Sequence, residues 1–114
     1  MKMKSLHQDE VPVLEIAGRL DGAADNLALV SAVKEFARAG ETEVVVDLSR
    51  VRMITSTGLG LLMRARNRLE RADGQLHLCE LTPRSQELLY VTQTRPLFAV
   101  HETRQEAVEG IRGL

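Results

Sequence analysis

The stretch that most constrains this chain is Val44-Val-Val-Asp-Leu48, followed seven residues later by Thr55-Ser-Thr-Gly-Leu-Gly60. A short run that is apolar almost throughout reads as a buried strand, which needs layers packed on both of its faces. The hydroxyl cluster after it opens an apolar-periodic segment that predicts a helix to about Ala72. Thr55, Ser56 and Thr57 therefore fall where backbone N–H groups lack partners and the helix dipole is positive. Such a place accommodates phosphate, whether it arrives on a ligand or is attached to a hydroxyl.

Around this unit the chain alternates strand and helix signals. Lys2 to His7 alternates weakly and Val11 to Ala17 more strongly, with Gln8-Asp9-Glu10 as the polar turn between two strands. Leu20-Asp21-Gly22 closes that hairpin region. A helix is expected from about Ala24 to Ala39, where Leu27, Val30, Val33, Phe36 and Ala37 recur at helical spacing and Gly40 supplies the stop. Asp73-Gly74 turns into a short strand, Gln75 to Cys79. Thr82-Pro83 pairs a cap with proline at the first helical position, ahead of Leu88, Leu89 and Val91. Phe98 to His101 predicts a last strand, and Thr103-Arg-Gln-Glu106 is a capping box for a helix to about Ile111. The order β-β-α-β-α-β-α-β-α argues for one α/β domain over residues 1–114, with a small mixed, mainly parallel sheet and about four helices.

Composition narrows the function classes. The chain has 15 basic and 16 acidic residues and a net charge of −1, which gives no electrostatic case for direct nucleic-acid binding. With no Trp, one Tyr and two Phe, it offers few platforms on which bases could stack. No apolar run approaches a membrane span, so no membrane insertion is expected. The lone Cys79 cannot form an internal disulfide and suits a reducing cytoplasm. It reads as a small buried hydrophobe, because no basic or glycine-rich surroundings would activate it.

Asp47 follows a strand run as a phosphoacceptor aspartate would. The acidic pair and late lysine that such sites need are missing, so it reads as structural. His7, His77 and His101 lie on different elements without ligand spacing, and no metal or other cofactor is expected. No Ser–His–Asp set, paired carboxylates or phosphate-cradling GxxxxGK[ST] motif suggests an enzyme.

One hydroxyl at the start of the second helix is needed simply to cap it, and three in a row exceed that need. Gly58 and Gly60 remove steric cover from them. A spare hydroxyl here tolerates added phosphate within its own protein, while the same charge blocks a partner matched to the neutral form. Beyond the loop, Arg64, Arg68 and Arg71 share one helix face by their spacing. That face reads as solvated surface or, next to a switch, as a docking surface for an acidic partner.

These residues resemble the STAS domain and, within it, the anti-sigma factor antagonists (anti-anti-sigma factors). The resemblance rests on Glu15-Ile-Ala-Gly-Arg-Leu-Asp21, Val44-Val-Val-Asp-Leu48, Thr55-Ser-Thr-Gly-Leu-Gly60 and Pro96-Leu-Phe-Ala-Val-His101 before a capped helix. The family's central motif commonly reads Asp-Ser-Ser/Thr-Gly-Leu-Gly. Its leading Asp is Thr55 here, and its phosphorylated second hydroxyl corresponds to Thr57, with Ser56 beside it. The resemblance implies partner contacts at Asp21, Thr55, Ser56, Thr57, Gly58 and Leu59, which Arg64 and Arg68 would extend. It implies a cytoplasmic monomer or weak dimer whose partners are a phosphatase and an anti-sigma factor kinase of histidine-kinase-like ATPase type. The unphosphorylated form would bind that kinase and free a sigma factor. Two other roles fit a STAS domain: an accessory subunit of a lipid-trafficking ABC transporter, and a scaffold subunit of a stress-sensing complex.

Overall fold

The computed structural model describes residues 1–114. Its order follows the sequence expectation: β1 (Lys2–Gln8), β2 (Val11–Leu20), α1 (Leu27–Arg38), β3 (Glu43–Ile54), α2 (Ser56–Glu70), β4 (Gln75–Cys79), α3 (Pro83–Val91), β5 (Ala99–His101) and α4 (Arg104–Arg112). Short 3-10 turns at Ala24–Asn26 and Arg95–Leu97 precede α1 and β5. The strands form one sheet in the order β1-β2-β3-β4-β5. The β1–β2 pair is antiparallel and every other pairing is parallel.

The middle of the sheet is apolar on both faces because both are covered. Leu14, Ile16, Val44, Val46, Leu76 and Leu78 join Leu29, Val33 and Phe36 of α1 and Leu59, Leu62, Ala65 and Leu69 of α2 in one core. On the opposite face, Val11, Val13, Val45 and Cys79 pack against Ala107 and Val108 of α4. Each fully buried Leu or Val contributes about 1.5–3 kcal/mol by leaving water.

Two expectations need correction. The strand read at Val44–Leu48 does not end there, because β3 continues to Ile54 beside an equally extended β2. The register shifts between Glu15 and Ala17 and again between Gly18 and Arg19. Such bulges break strict period-two alternation, so the extension does not look like strand in the sequence. In addition, α1 begins at Leu27 rather than near Ala24, since a 3-10 turn fills the intervening residues.

The long β2–β3 pair sets the position of α2. The Thr55 amide donates to the Leu20 carbonyl at 2.9 Å, so the chain leaves β3 level with the end of β2. Gly58 is a glycine because a Cβ at that position would collide with the same Leu20 carbonyl oxygen.

Candidate functional site

The start of α2 distributes its three hydroxyls between two tasks. Thr55 is the N-cap: it has extended backbone dihedrals, and its Oγ1 accepts from the Gly58 amide at 3.2 Å. Its carbonyl oxygen accepts from the Leu59 amide at 2.8 Å, closing the first turn. Ser56 and Thr57 follow at the first two helical positions and are exposed. Neither is needed for the cap. Gly58 and Leu59 are buried, and Leu59 belongs to the main core, so these two support the loop from beneath.

The neighbouring surface is the turn between β2 and α1. Asp21 folds back on that turn, with its Oδ1 accepting from the Ala23 amide at 3.0 Å and its Oδ2 lying 3.6 Å from Arg19 Nε. The methyl group of Thr57 lies against Gly22, where any Cβ would meet it. Gly22 also has a positive φ of 88°, which favours glycine independently. The expected site residues Asp21, Ser56 and Thr57 thus gather at one end of the sheet, with Thr55, Gly58 and Leu59 as their base.

One residue that shapes this turn does not stand out in the sequence. Asn26 is only 1% exposed, and its Oδ1 accepts from the Asp21 amide at 2.8 Å and the Gly22 amide at 3.1 Å. Its Nδ2 donates to Asp25 Oδ1 at 2.8 Å. A polar side chain taken out of water needs such partners, and in return Asn26 fixes the turn against which Thr57 packs. No local sequence signal marks it, because its oxygen reaches back to amides four and five residues upstream, whereas an Asx turn closes on the residues that follow it.

The arginines of α2 divide by flank. Arg64, Arg68 and Arg71 line a groove of about 430 Å³ between α1 and α2. Arg66 points elsewhere, donating to the Leu97 carbonyl at 2.6 Å and lying 3.3 Å from Glu70. The shared face expected for Arg64, Arg68 and Arg71 is therefore present.

Across the sheet, Arg104 of α4 reaches Glu15 Oε2 at 2.7 Å and Asp47 Oδ2 at 3.2 Å. The guanidinium beside Glu15 holds that carboxyl below its usual range, and Glu15 holds Arg104 above its own. Asp47 also accepts from the Ser49 amide at 2.9 Å, which gives it a structural role. Cys79 is fully buried, and burial pushes its thiol up to about 12. It is protonated and inert at neutral pH.

The histidines are not all scattered, because the β4–β5 pairing brings His77 and His101 together. Their rings stack with centroids 5.2 Å apart, and His77 Nδ1 lies 3.0 Å from His101 Nε2. Glu43 Oε1 lies 2.9 Å from His77 Nε2 on the other side. This chain crosses three strands near the end of the sheet opposite the hydroxyl loop.

Residues 2–107 match the STAS domain family. The chain belongs to the STAS family. BtrV of Bordetella bronchiseptica, a protein named for anti-sigma factor antagonism, is 33% identical over 73 residues. That match spans 64% of this chain and 63% of the relative, so it covers less than two thirds of the relative's length. Among solved STAS folds, an anti-sigma factor antagonist from Thermotoga maritima superposes with a TM-score of 0.86 at 22% identity, over 96% of this chain and 94% of that one. SpoIIAA of Bacillus, a cell fate determinant solved in its phosphorylated form, gives a TM-score of 0.73 at 20% identity, over 97% and 100% of the two chains. In this STAS domain no helix is long and apolar enough to cross a membrane.

The motif departure at Thr55 has a physical reading. An aspartate at this position would cap the helix through its carboxylate, and threonine caps it through its hydroxyl. The substitution keeps the cap and removes one negative charge from the loop.

Proposed function

We propose that this chain is a cytoplasmic partner-switching regulator with no catalytic activity of its own. Its unphosphorylated form binds an anti-sigma factor kinase of histidine-kinase-like ATPase type and releases a sigma factor. Phosphorylation of Thr57 ends that binding, and a phosphatase restores it. The observation that carries this reading is the division of the hydroxyls: Thr55 is occupied as the cap, whereas Ser56 and Thr57 are exposed at the same helix start. Within the pair, the motif match favours Thr57, with Ser56 as the adjacent acceptor.

The switch follows from charge. A phosphate on Thr57 brings about −1.5 to −2 at neutral pH. The first amides of α2 and its dipole face that charge, so the protein itself tolerates it. A partner surface seated on a neutral hydroxyl and the bare Gly22 turn meets instead a doubly charged, bulky group beside Asp21. Binding is lost without any change of fold.

Tagged protein recovered from its native cells is expected to carry a histidine-kinase-like ATPase, identifiable by mass spectrometry. Thr57→Ala should keep that partner and lose labelling by it with ATP, while Thr57→Glu should recover much less of it. Normal labelling of Thr57→Ala would sink the assignment of the acceptor. Recovery of transporter ATPase or permease subunits in place of a kinase would overturn the reading as a whole.

A further inference from the structure

The cationic groove between α1 and α2 is not explained by the hydroxyl switch. Arg68 and Arg71 lie near the carboxyl end of α2, where positive charge complements the helix dipole. That reason does not extend to Arg64 in mid-helix or to Lys34, which faces them from α1. None of the four is in an ion pair within the chain. The groove's one carboxylate, Glu70, is engaged by Arg66 on the other flank at 3.3 Å. In a protein with a net charge of −1, this is a local concentration of uncompensated positive charge.

The groove is continuous with the switch. Thr57, Gly60, Arg64, Arg68 and Arg71 follow one another in steps of three and four residues, so they form a single stripe along α2. Thr57, Gly60, Arg64 and Arg71 are exposed and Arg68 is half-buried. A Cβ at Gly60 would touch nothing within 4 Å, so no internal packing demands glycine there. The bare position leaves the stripe open between the hydroxyl and the first arginine.

We infer that this stripe and groove hold an acidic segment of the partner protein, lying along α2 with one end against Thr57. The inference rests on the partner-switching reading and names the chemistry of the surface that the partner must present. The groove is a trough of about 430 Å³ lined mainly by long side chains on two helix faces, with Val30 as its one apolar lining residue. A small anion would need polar groups converging on a point. Here the charges are spread along the helix, from Arg64 to Arg71 over about 10 Å of rise. The absence of an overall basic excess disfavours nucleic acid. A row of glutamates or aspartates on one helix or extended strand matches the spacing.

The two halves of the stripe act almost independently. Arg64 lies about 10 Å of helix rise beyond Thr57, close to one Debye length at ordinary ionic strength. The groove therefore raises the rate and strength of encounter in both phosphorylation states, and the phosphate decides whether the encounter proceeds to a seated complex. Loss of groove charge and phosphorylation of Thr57 should weaken binding by multiplying factors.

The test uses the full chain labelled with nitrogen-15 and a synthetic Glu-rich helical peptide as the probe. Inorganic phosphate and a short single-stranded DNA are compared with it. The peptide is expected to shift the amide signals of Lys34, Arg64, Arg68 and Arg71, and to lose this effect at about 0.5 M sodium chloride. The double variant Arg64→Glu/Arg68→Glu should bind the peptide about tenfold more weakly. Lys4→Glu/Arg50→Glu, on the other face of the sheet, should bind it as wild type does. Peptide shifts centred on Lys4 and Arg50, or equal binding by the groove variant, would overturn the proposal. Tighter binding of phosphate or DNA than of the peptide would overturn it too.

A second measurement separates this proposal from the switch. In native cells the groove variant should recover about a tenth of the wild-type amount of kinase while Thr57 stays competent for phosphorylation. Full recovery by the groove variant together with loss by Thr57→Glu would refute the groove alone. Loss by the groove variant with normal recovery by Thr57→Glu would refute the switch and leave the groove standing.

Discussion

At the scale of single residues, the site depends on side chains that shape backbone. Asn26 does this for the β2–α1 turn, where its buried amide oxygen holds two consecutive amides. Asn26→Ala leaves those donors unpaired and is expected to cost about 1–3 kcal/mol, measurable by urea unfolding. Asn26→Asp keeps the acceptor oxygen and should recover part of the loss. Thr55 offers a parallel case at the α2 cap. Thr55→Ala should lower stability by about 1 kcal/mol, whereas Thr55→Asp should match or exceed wild type, because a carboxylate caps well and also faces the positive end of the helix. Unchanged unfolding midpoints for both alanine variants would refute these roles. That one hydroxyl of Thr55, Ser56 and Thr57 would cap α2 was legible from their place before an apolar-periodic run, and the structure assigns the cap to Thr55. Asn26 was not legible, since its role depends on a turn formed by residues upstream of it.

At the scale of elements, the sequence was most legible where each helix carries its own signals. Thr82 and Thr103 both cap, accepting from the Ser85 amide at 3.2 Å and the Glu106 amide at 3.1 Å, as Thr-Pro and the capping box suggested. The extension of β3 was hidden because a bulge breaks the period. The association of His77 with His101 was hidden because it depends on the register of β4 with β5, which neither strand specifies alone. The docking of α4 was hidden in the same way. Its first residue, Arg104, is clamped by Glu15 and Asp47 from β2 and β3, and its backbone amide donates to Glu80 Oε2 at 2.8 Å. Arg104→Ala leaves Asp47, whose side chain is only 10% exposed, without its cation. The expected loss is about 2 kcal/mol, because partial exposure of the cluster screens it. Hydrogen exchange should show that loss first as faster opening of α4. Exchange unchanged in α4 but faster throughout α1 and α2 would contradict the clamp.

At the scale of the whole molecule, stability and switching are assigned to opposite parts of the sheet. The hydroxyl loop occupies the end where β2 and β3 finish together, and the histidine chain lies near the other end. His101 gives stability a pH dependence separate from binding. Burial, and then the neighbouring His77, hold His101 below its ordinary value of 6.5, and Glu106 only partly opposes them. The unfolded chain therefore binds a proton before the native state does. This contribution is fully present above about pH 6.5 and declines as pH falls toward the depressed native value. His101→Gln should flatten the stability profile between about pH 5 and 7 while leaving partner recovery at neutral pH intact. A slope retained in that variant would assign the effect to another group.

The central claim is that the phosphorylation state of Thr57 decides whether the protein is bound to its partner. Trypsin should release Met53–Arg64, a peptide that contains Thr55, Ser56 and Thr57 together. Protein taken from native cells can be divided into a partner-bound pool and a free pool, and fragment spectra of that peptide locate any phosphate. The account predicts phosphate on Thr57 in the free pool and its near absence from the bound pool. Equal phosphate in both pools, or phosphate confined to the bound pool, would contradict it.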